Sequence, residues 1–526
     1  LVGSEMCIRD RTIAAKMTDV PGHTRSIIDP MYDAGIRLLH VGINSACPLP
    51  SVPTFCRWRS PSGNDLLLVY QKDYGEDEVL PDGKTVVSIN FTGDNHGPHS
   101  YERVKKIYAD LRKRYPQAQL VGASFNDVAR ELLLIKKDLP VVTSEIGDTW
   151  IFGYGGAPIR MAKFRAVSRL YSQWLNEGKI KKDSDVALDF AAELGLIAEH
   201  TQGVDVKTHL RQWDKYDMDK FLKGRSEGVF SMAEASWKEI DNYIDSAIAF
   251  LPASLQKEAR EVVAEVDKVK LEDNSKMKPM ARKRWEQPIA GGMILAGLSY
   301  QMFDGDDYDD FQNRYLRARY EWALDDLGKR GLKESHAVSV TLYAQTMAQS
   351  VRKEKKGTRI ITELRFPENE KVDKRVYPER IQVNCFTTKN GKRSEVALTV
   401  YGKPTVRLPE SYWLSFTVPG IESVIAEKMG ERVDLMDVVE KGNRQMHGID
   451  RYVDLITSGE TIRISSKEAF LLNVGEAQGL NYSTNYPDKH KGVHFNLNNN
   501  LWGTNFSMWN EGSLTYHFVI ETLNHK

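Results

Sequence analysis

The chain has 526 residues, more than one ordinary hydrophobic core accommodates, so we expect two to four domains. Lys plus Arg and Asp plus Glu both number 72, and this balance of charge favours neither a nucleic-acid partner nor an anionic membrane. The scattered cysteines form no Cys-x-x-Cys pair, which argues against a disulfide scaffold and against a cysteine-bound zinc ion.

The sequence also lacks the features of a membrane protein. No apolar run approaches the roughly 18 residues needed to cross a bilayer, and no signal pattern precedes the first strand. We therefore expect a soluble protein, while its compartment (cytoplasmic, periplasmic or secreted) and its assembly as a homo-oligomer stay open. Residues 1–10 resemble a short translated adaptor found at the ends of metagenomic assemblies, so they are excluded from the fold predictions.

Residues 11–155 alternate short apolar runs with amphipathic segments, which predicts an α/β domain with part of a parallel (β/α) barrel. The predicted strands are 36–41, 66–70, 86–91, 120–123 and 139–142, and the predicted helices are 101–115 and 126–134. Only residues 11–17 precede the first candidate site, which is hardly enough for one strand. We therefore expect the barrel to be truncated at its N-terminal side.

The hydrophobic period changes twice in the remainder of the chain. Residues 156–275 carry apolar residues at helical spacing, which predicts a helical bundle with helices at 162–175, 184–199, 232–251 and 254–269. Residues 276–526 are dominated by strand patterns separated by turn signals, which predicts a large β-sandwich.

Two carboxylates follow apolar runs and precede turns containing Gly and Pro. Asp19 stands before Val20-Pro21-Gly22, and Asp94 follows the predicted strand 86–91. A carboxylate at the carboxyl end of a barrel strand is held rigidly and still faces a substrate, so both are candidate catalytic residues. The alternative for each is the cap of the following turn or helix.

Two further sites combine polar and aromatic residues. Glu145, Asp148, Trp150 and Tyr154 lie on a Gly-rich segment, a combination suited to sugars, whose hydroxyls bind carboxylates and whose C–H faces stack on rings. A Trp that anchors the barrel to the bundle is the alternative for this segment. His200 interrupts the helical region, either as a structural residue or as a ligand of a zinc site made from His and carboxylates.

These sites occur in the order and approximate spacing of the catalytic region of glycoside hydrolase family 38, the retaining zinc-dependent α-mannosidases. The segment Asp19 to Thr24 resembles the family's Asp-Pro-Phe-Gly-His-Ser segment, which implies that Asp19 is both nucleophile and zinc ligand and that His23 lies at the substrate. The segment around Asp94 resembles the one with the general acid/base, with Asn95 as the competing alignment. His200 matches the zinc-binding His of the family's His-His-Asp segment.

The sequence departs from this pattern in several places. Glu199 and Thr201 replace the first His and the Asp of that segment, which puts the sugar contacts made there in doubt. A closer resemblance is to the bacterial group called domain of unknown function 5054, which is similar to family 38 and has Trp where this chain has Gln202. That resemblance implies an upstream portion with a His-x-Asp pair that supplies two more zinc ligands. We therefore expect the chain as given to be inactive.

The leading hypothesis is a zinc-dependent glycoside hydrolase that acts on an α-linked, mannose-like sugar, with Asp19 and Asp94 as the catalytic pair. A metal-dependent carbohydrate deacetylase and a non-catalytic carbohydrate-binding protein are the alternatives. The segment 496–509, rich in Asn, Trp and Gly, either completes the wall of the site or forms an ordinary sandwich strand with a buried Trp.

Overall fold

The computed structural model describes residues 12–92, 96–275, 277–280 and 285–523. The chain divides into two compact units. The first runs to Asp148 and also includes Asp437–Gly442, and the second comprises Thr149–Met436 and the residues from Asn443 onward. No helix in these described ranges is long and apolar enough to cross a membrane.

The first unit is an α/β layer. Its strands are β1 (Ala14–Asp19), β2 (Leu38–Ile43), β3 (Phe55–Arg59), β4 (Asp65–Gln71), β5 (Asp77–Val79), β6 (Val86–Ser88) and β7 (Val141–Val142). Its helices are α1 (Ile28–Asp33), α2 (Tyr101–Arg114) and α3 (Phe125–Leu134). Five strands form one sheet in the order β1-β2-β4-β3-β7, and β5 pairs with β6 separately.

Strands β1, β2 and β4 are parallel neighbours, as the sequence predicts, so their carboxyl ends meet at one edge of the sheet. Alternate residues of β4 enter different cores: Leu66 and Leu68 pack on one face, whereas Leu67 and Val69 pack on the other. Helix α3 covers the second face with Ala129 and Leu132. Burial on both faces explains why these strands are continuous apolar runs.

Two local features differ from the prediction. Strand β3, which was not predicted, runs antiparallel to β4, and the predicted strand 120–123 does not form. Val121 is 70% exposed, so this short apolar run lacks the burial that would make it a core strand. Short apolar runs do not by themselves distinguish a strand from a loop.

The second unit begins with helices. They are α4 (Pro158–Asn176), α5 (Asp185–Gly195), α6 (Val206–His209), α7 (Met218–Ser226), α8 (Ser231–Ala249), α9 (Ala253–Asp267), α10 (Gly305–Tyr315) and α11 (Glu321–Asp326). The predicted bundle corresponds to α4, α5, α8 and α9, which share one hydrophobic core around Trp174 and Phe190. Helices α10 and α11 lie between strands and are absent from the sequence-based prediction.

The rest of the second unit consists of antiparallel strands. They are β8 (Lys278–Met280), β9 (Gln287–Pro288), β10 (Ile294–Met302), β11 (Val340–Tyr343), β12 (Gln345–Lys353), β13 (Gly357–Arg365), β14 (Arg380–Thr388), β15 (Arg393–Lys403), β16 (Glu410–Thr417), β17 (Ile421–Lys428), β18 (Glu431–Asp434), β19 (Met446–Gly448), β20 (Tyr452–Thr457), β21 (Thr461–Ser466), β22 (Leu471–Val474), β23 (Val493–Asn499) and β24 (Gly512–Leu523).

These strands build two large sheets. One has the order β11-β10-β16-β23-β22-β19 with β9 beside β10, and the other has the order β18-β17-β20-β21-β24-β15-β14-β13-β12-β8. Phe416 and Phe495 of the first sheet contact Phe518 of the second with ring centroids 5.4 Å and 5.0 Å apart. The predicted fold class, an α/β region followed by helices and large antiparallel sheets, is confirmed.

Candidate active site

Asp19 is the last residue of β1, at the edge where the carboxyl ends of the parallel strands meet. Its backbone φ is +89°, a conformation that non-glycine residues rarely adopt and that is frequent at functional sites. The Asp19 carbonyl accepts a hydrogen bond from the Asn44 amide at 2.8 Å, which ties this turn to the end of β2.

Two side chains from neighbouring strand ends hold the Asp19 carboxylate. Asn44 Nδ2 donates to Asp19 Oδ1 at 2.9 Å, and the Tyr74 hydroxyl donates to the same oxygen at 2.5 Å. Asn44 follows β2 directly, and Tyr74 lies three residues after β4. The sequence-based prediction missed both residues. Their position just beyond buried strands that run parallel to β1 is the signal that could have found them.

Tyr74 is itself fixed by close packing. A Cβ atom at Gly42 would lie 2.8 Å from Tyr74 Cα, so only glycine allows this approach of the loop to β2. Lys16 Nζ donates to the Tyr74 carbonyl at 3.0 Å. These contacts fix the backbone of Tyr74, and its ring places the hydroxyl at Asp19.

Lys16 and His40 form a polar pair beneath this site. Lys16 Nζ lies 3.0 Å from His40 Nδ1, and His40 Nε2 lies 2.7 Å from Gln71 Oε1. Because an ammonium only donates, Nδ1 accepts and Nε2–H donates to Gln71, so His40 is neutral. Burial lowers the pKa of His40 to about 4 and the pKa of Lys16 to about 8.

The predicted general acid/base, Asp94, and its alternative Asn95 lie outside the described residues. The segment that leads toward them is described. Phe91 packs edge-on against Tyr74 with ring centroids 5.3 Å apart, and Tyr74 donates to Asp19. Phe91, three residues before Asp94 in the sequence, therefore contacts Tyr74, the hydrogen-bond partner of Asp19.

The loop after Asp19 packs against the segment with Glu145 and Asp148. A Cβ atom at Gly22 would lie 2.7 Å from Asp148 Cβ, so the turn requires glycine. Glu145 is buried, and its Oε1 accepts from the Arg25 amide at 2.7 Å. Glu145 thus fixes the segment that follows Asp19, while Asp148 approaches the turn itself.

His23 lies in the same loop and is held by its backbone and its ring. Its amide donates to the Ile146 carbonyl at 2.8 Å, and its Nε2 lies 3.1 Å from the Val20 carbonyl. Since a carbonyl only accepts, Nε2 carries the proton. Burial lowers the pKa of His23 to about 4, so the imidazole is neutral.

The second unit contains the other candidate residues around His200. The rings of His200 and Trp150 have centroids 6.0 Å apart. Tyr154 donates to the carbonyls of Ala198 and Glu199 at 2.7 Å and 3.1 Å, which fixes the segment before His200. His200 Nδ1 contacts the Glu199 carboxylate. A carboxylate at one ring nitrogen is the arrangement that orients His ligands of metals through the other.

Gln202 is a second anchor of this segment. It is 2% exposed, and its Nε2 donates to the carbonyls of Ile197 and Glu199 at 2.9 Å and 2.7 Å. Its Oε1 accepts from Arg160 at 3.0 Å. The Gln202 amide therefore holds the backbone of the segment that leads to His200.

The C-terminal Asn- and Trp-rich segment reaches the same aromatic group. Trp502 lies 5.9 Å from Trp150, ring centroid to ring centroid, and also contacts Tyr315 at 5.5 Å. Trp502 is 5% exposed, which agrees with the structural alternative stated for this segment. Trp502 nevertheless packs against Trp150, the ring that lies beside His200.

Asp19 and His200 have side chains of the types that bind zinc, but two ligands do not make a complete zinc site. Protein zinc sites use three or four His, Cys or carboxylate ligands. Within the described ranges, no group of three or more such side chains is arranged to hold a metal ion. Asp19 and His200 are each of a suitable type, and neither unit supplies a full ligand set from its described residues.

Comparison with known proteins agrees with the resemblance found in the sequence. Residues 155–289 match the family described as Domain of unknown function (DUF5054). No curated protein matches the chain. Among solved structures, the chain is similar to an α-mannosidase from Enterococcus faecalis V583, with 9% identity and a TM-score of 0.52 over 98% of this chain and 74% of that one.

A second solved structure is a protein in glycosyl hydrolase family 38 from Enterococcus faecalis, with 10% identity, 96% of this chain and 72% of that chain covered, and a TM-score of 0.42. The predicted resemblance to DUF5054 is confirmed over residues 155–289, and the predicted likeness to an α-mannosidase is confirmed for the fold. At this level of identity, the similarity to the α-mannosidase concerns the fold.

Proposed function

We propose that this protein is a retaining, zinc-dependent glycoside hydrolase of the family 38 type that acts on an α-linked, mannose-like sugar. The observation that carries the proposal is the geometry at Asp19. A carboxylate in a rare backbone conformation ends a parallel strand, and two side chains from adjacent strand ends orient it. The fold shared with an α-mannosidase supports the same assignment.

In this mechanism Asp19 attacks the anomeric carbon while the bond to the leaving oxygen breaks, which gives a glycosyl ester of Asp19. Asp94 gives its proton to the leaving oxygen, then takes one from the water that hydrolyses the ester. Hydrogen bonds from Asn44 and Tyr74 stabilise the carboxylate of Asp19 and fix its direction. Both features favour a positioned nucleophile.

Zinc is part of the proposal because the resemblance assigns it Asp19 and His200 as ligands. When bound, it would bind sugar hydroxyls and act as a Lewis acid. The family's His-x-Asp pair has no counterpart in the 526-residue sequence. We therefore expect this chain to bind zinc weakly and to show no detectable turnover, which metal analysis after dialysis and a chromogenic mannoside assay would measure.

We propose His23, Glu145, Asp148, Trp150 and Tyr154 as the residues that line the sugar site or hold its walls. Glu145 and Tyr154 act through the backbone, since their polar atoms bond to the segments after Asp19 and before His200. Trp150 offers a ring beside His200. Asp148 approaches the turn at Gly22.

The proposal is tested by comparing two ligands that need no turnover. A mannose-configured iminosugar carries positive charge like the oxocarbenium-like transition state, whereas methyl α-mannoside is neutral. By calorimetry, the chain should bind the iminosugar at least tenfold more tightly, and Asp19→Asn should remove that preference. Asp110→Asn is the control, because Asp110 is an exposed carboxylate of α2 in the same unit.

Equal affinity for the two ligands would contradict the proposal. A carbohydrate deacetylase or a non-catalytic binding protein forms no cationic sugar-like transition state and has no reason to prefer the charged compound. An iminosugar preference that persists in Asp19→Asn would exclude Asp19 as the nucleophile.

A further inference from the structure

The second unit contains a cavity that none of the candidate catalytic or zinc-binding residues lines, whereas Trp509 of the segment 496–509 and Arg160, the partner of Gln202, do line it. It has a volume of about 590 Å³ and lies between α4, α8 and residues 507–511. Small-molecule sites span roughly 300–1,000 Å³. The cavity is therefore large enough for a ligand of one or two sugar rings.

The charges around this cavity are balanced and mostly paired within the protein. Four basic and four acidic side chains line it. Arg160 Nε donates to Asp241 at 2.5 Å, and Arg225 donates to both Glu234 and Glu511. Because these guanidinium groups already have carboxylate partners, an anionic ligand gains little binding energy from them. A cationic ligand likewise gains little from carboxylates that are already paired with arginine.

The cavity also offers polar atoms of both kinds beside aromatic rings. Asn510 Nδ2 is buried and has no hydrogen-bond partner among the described residues. Asn242 and Asp245 project from the exposed face of α8, outside the ion pairs just described. Trp237 and Trp509 pack edge to face, 4.7 Å between centroids, and both line the wall.

We propose that this cavity binds a neutral saccharide at a second site, separate from Asp19. Hydroxyl groups both donate and accept, so one ligand can satisfy the Asn510 donor and the carboxylate acceptors of α8. The apolar C–H faces of sugar rings suit the aromatic rings of Trp237 and Trp509 in the wall. The site goes beyond the proposed hydrolase activity and does not depend on it.

The test uses calorimetry on the full chain with α-linked mannobiose, with a phosphorylated mannobiose and a mannobiose that carries one amino group as charged probes of similar shape. We expect mannobiose to bind and to quench tryptophan fluorescence, and both charged probes to bind at least fivefold more weakly. Absence of mannobiose binding, or tighter binding of either charged probe, would overturn the assignment.

Variants locate the binding. Asn242→Ala combined with Asp245→Ala should weaken mannobiose binding at least fivefold, and Asn242→Trp should abolish it by filling the cavity. Glu239→Ala is the matched control, since Glu239 is an exposed acidic residue of α8 that does not line the cavity. Unchanged binding in the folded double variant and in Asn242→Trp would overturn the proposal.

Asp19→Asn separates this proposal from the hydrolase. The second site predicts that mannobiose binding persists in Asp19→Asn, whereas the iminosugar preference is lost there. Loss of mannobiose binding in Asp19→Asn would place the sugar at the first unit and contradict a second site. Failure of the hydrolase proposal leaves the mannobiose result unaffected.

Discussion

Asp19 retains a backbone conformation that an L side chain normally avoids. Its φ of +89° would suit glycine, yet a carboxylate stands there and bonds to Asn44 and Tyr74. Strain of this kind persists only when surrounding contacts maintain it, and it is concentrated at functional sites. The conformation supports the chemical role proposed for Asp19.

This strain predicts an unusual order of stability. Asp19→Gly and Asp19→Ala both lose the two side-chain hydrogen bonds, but only glycine adopts positive φ without a Cβ clash. Asp19→Gly should therefore be more stable than Asp19→Ala by about 1 kcal/mol. Urea unfolding of the two variants measures the difference, and an alanine variant as stable as the glycine variant would refute the strain.

Lys329 provides a second prediction for a single residue. Its ammonium lies 2.8 Å from Met508 Sδ, and burial together with the Arg407 charge lowers its pKa to about 7. Lys329→Met should raise the free energy of unfolding by roughly 1–3 kcal/mol at neutral pH, because the buried charge is removed.

The stability that Lys329→Met gains over the wild type should change with pH in one direction. Between pH 7 and the ordinary lysine value, the unfolded chain binds the proton that the folded chain lacks, so the wild type gains stability as pH rises. The advantage of Lys329→Met should shrink across that window. Lys257→Met, at an exposed position, is the control, and an equal gain there would contradict the explanation.

At the scale of elements, β2 positions the loop that carries Tyr74. Gly42→Ala would bring a Cβ atom 2.8 Å from Tyr74 Cα and 3.0 Å from the Asp73 carbonyl. We expect a loss of about 2 kcal/mol in unfolding free energy from this overpacking.

The same change should weaken iminosugar binding, because Tyr74 moves away from Asp19. At Gly459 an added Cβ meets no described atom within 4 Å, so Gly459→Ala serves as the control. Calorimetry and urea unfolding check both variants. A Gly42→Ala protein with wild-type stability and affinity would show that the loop adapts.

The sequence predicted most elements because their patterns are long and regular. Buried runs gave β2 and β4, and helical spacing gave α4, α5, α8 and α9. The direction of a strand, and whether a short apolar run forms a strand at all, were harder to predict. Strand β3 runs antiparallel, and the predicted 120–123 strand does not form. Strand direction depends on tertiary pairing, which apolar periodicity does not encode.

The site was predictable only in part. Asp19 stands out because a carboxylate at a strand end is followed by a Pro-Gly turn. Asn44 and Tyr74 were missed because their role appears only when β1, β2 and β4 are aligned in parallel. The role of Gln202 depends on three carbonyl and guanidinium contacts that no local pattern indicates.

At the scale of the whole molecule, buried neutral histidines predict loss of stability in acid. Burial lowers the pKa of His40 and His494 to about 4 and that of His447 to about 3. His40 belongs to the first unit and the other two to the second. The unfolded chain binds protons near the ordinary histidine value, so stability present above pH 6.5 falls as pH drops toward 4.

Thermal unfolding from pH 7.5 to 4 measures this loss, to which each histidine adds at most about 1.4 kcal/mol per pH unit. His447→Gln should flatten the dependence, since an amide can replace the imidazole donor to the Arg444 carbonyl without titrating. The exposed His490→Gln should leave it unchanged. Identical slopes for wild type and His447→Gln would contradict the assignment.

The measurement that tests the central claim most directly is covalent labelling by a fluorinated mannosyl fluoride. This reagent carries its own leaving group and stabilises the glycosyl ester, so labelling requires the nucleophile and not repeated turnover. After long incubation with zinc, peptide mass spectrometry should find one sugar on Asp19, and Asp19→Asn should remain unlabelled. A label on another carboxylate, or equal labelling of wild type and Asp19→Asn, would contradict a family 38-like nucleophile at Asp19.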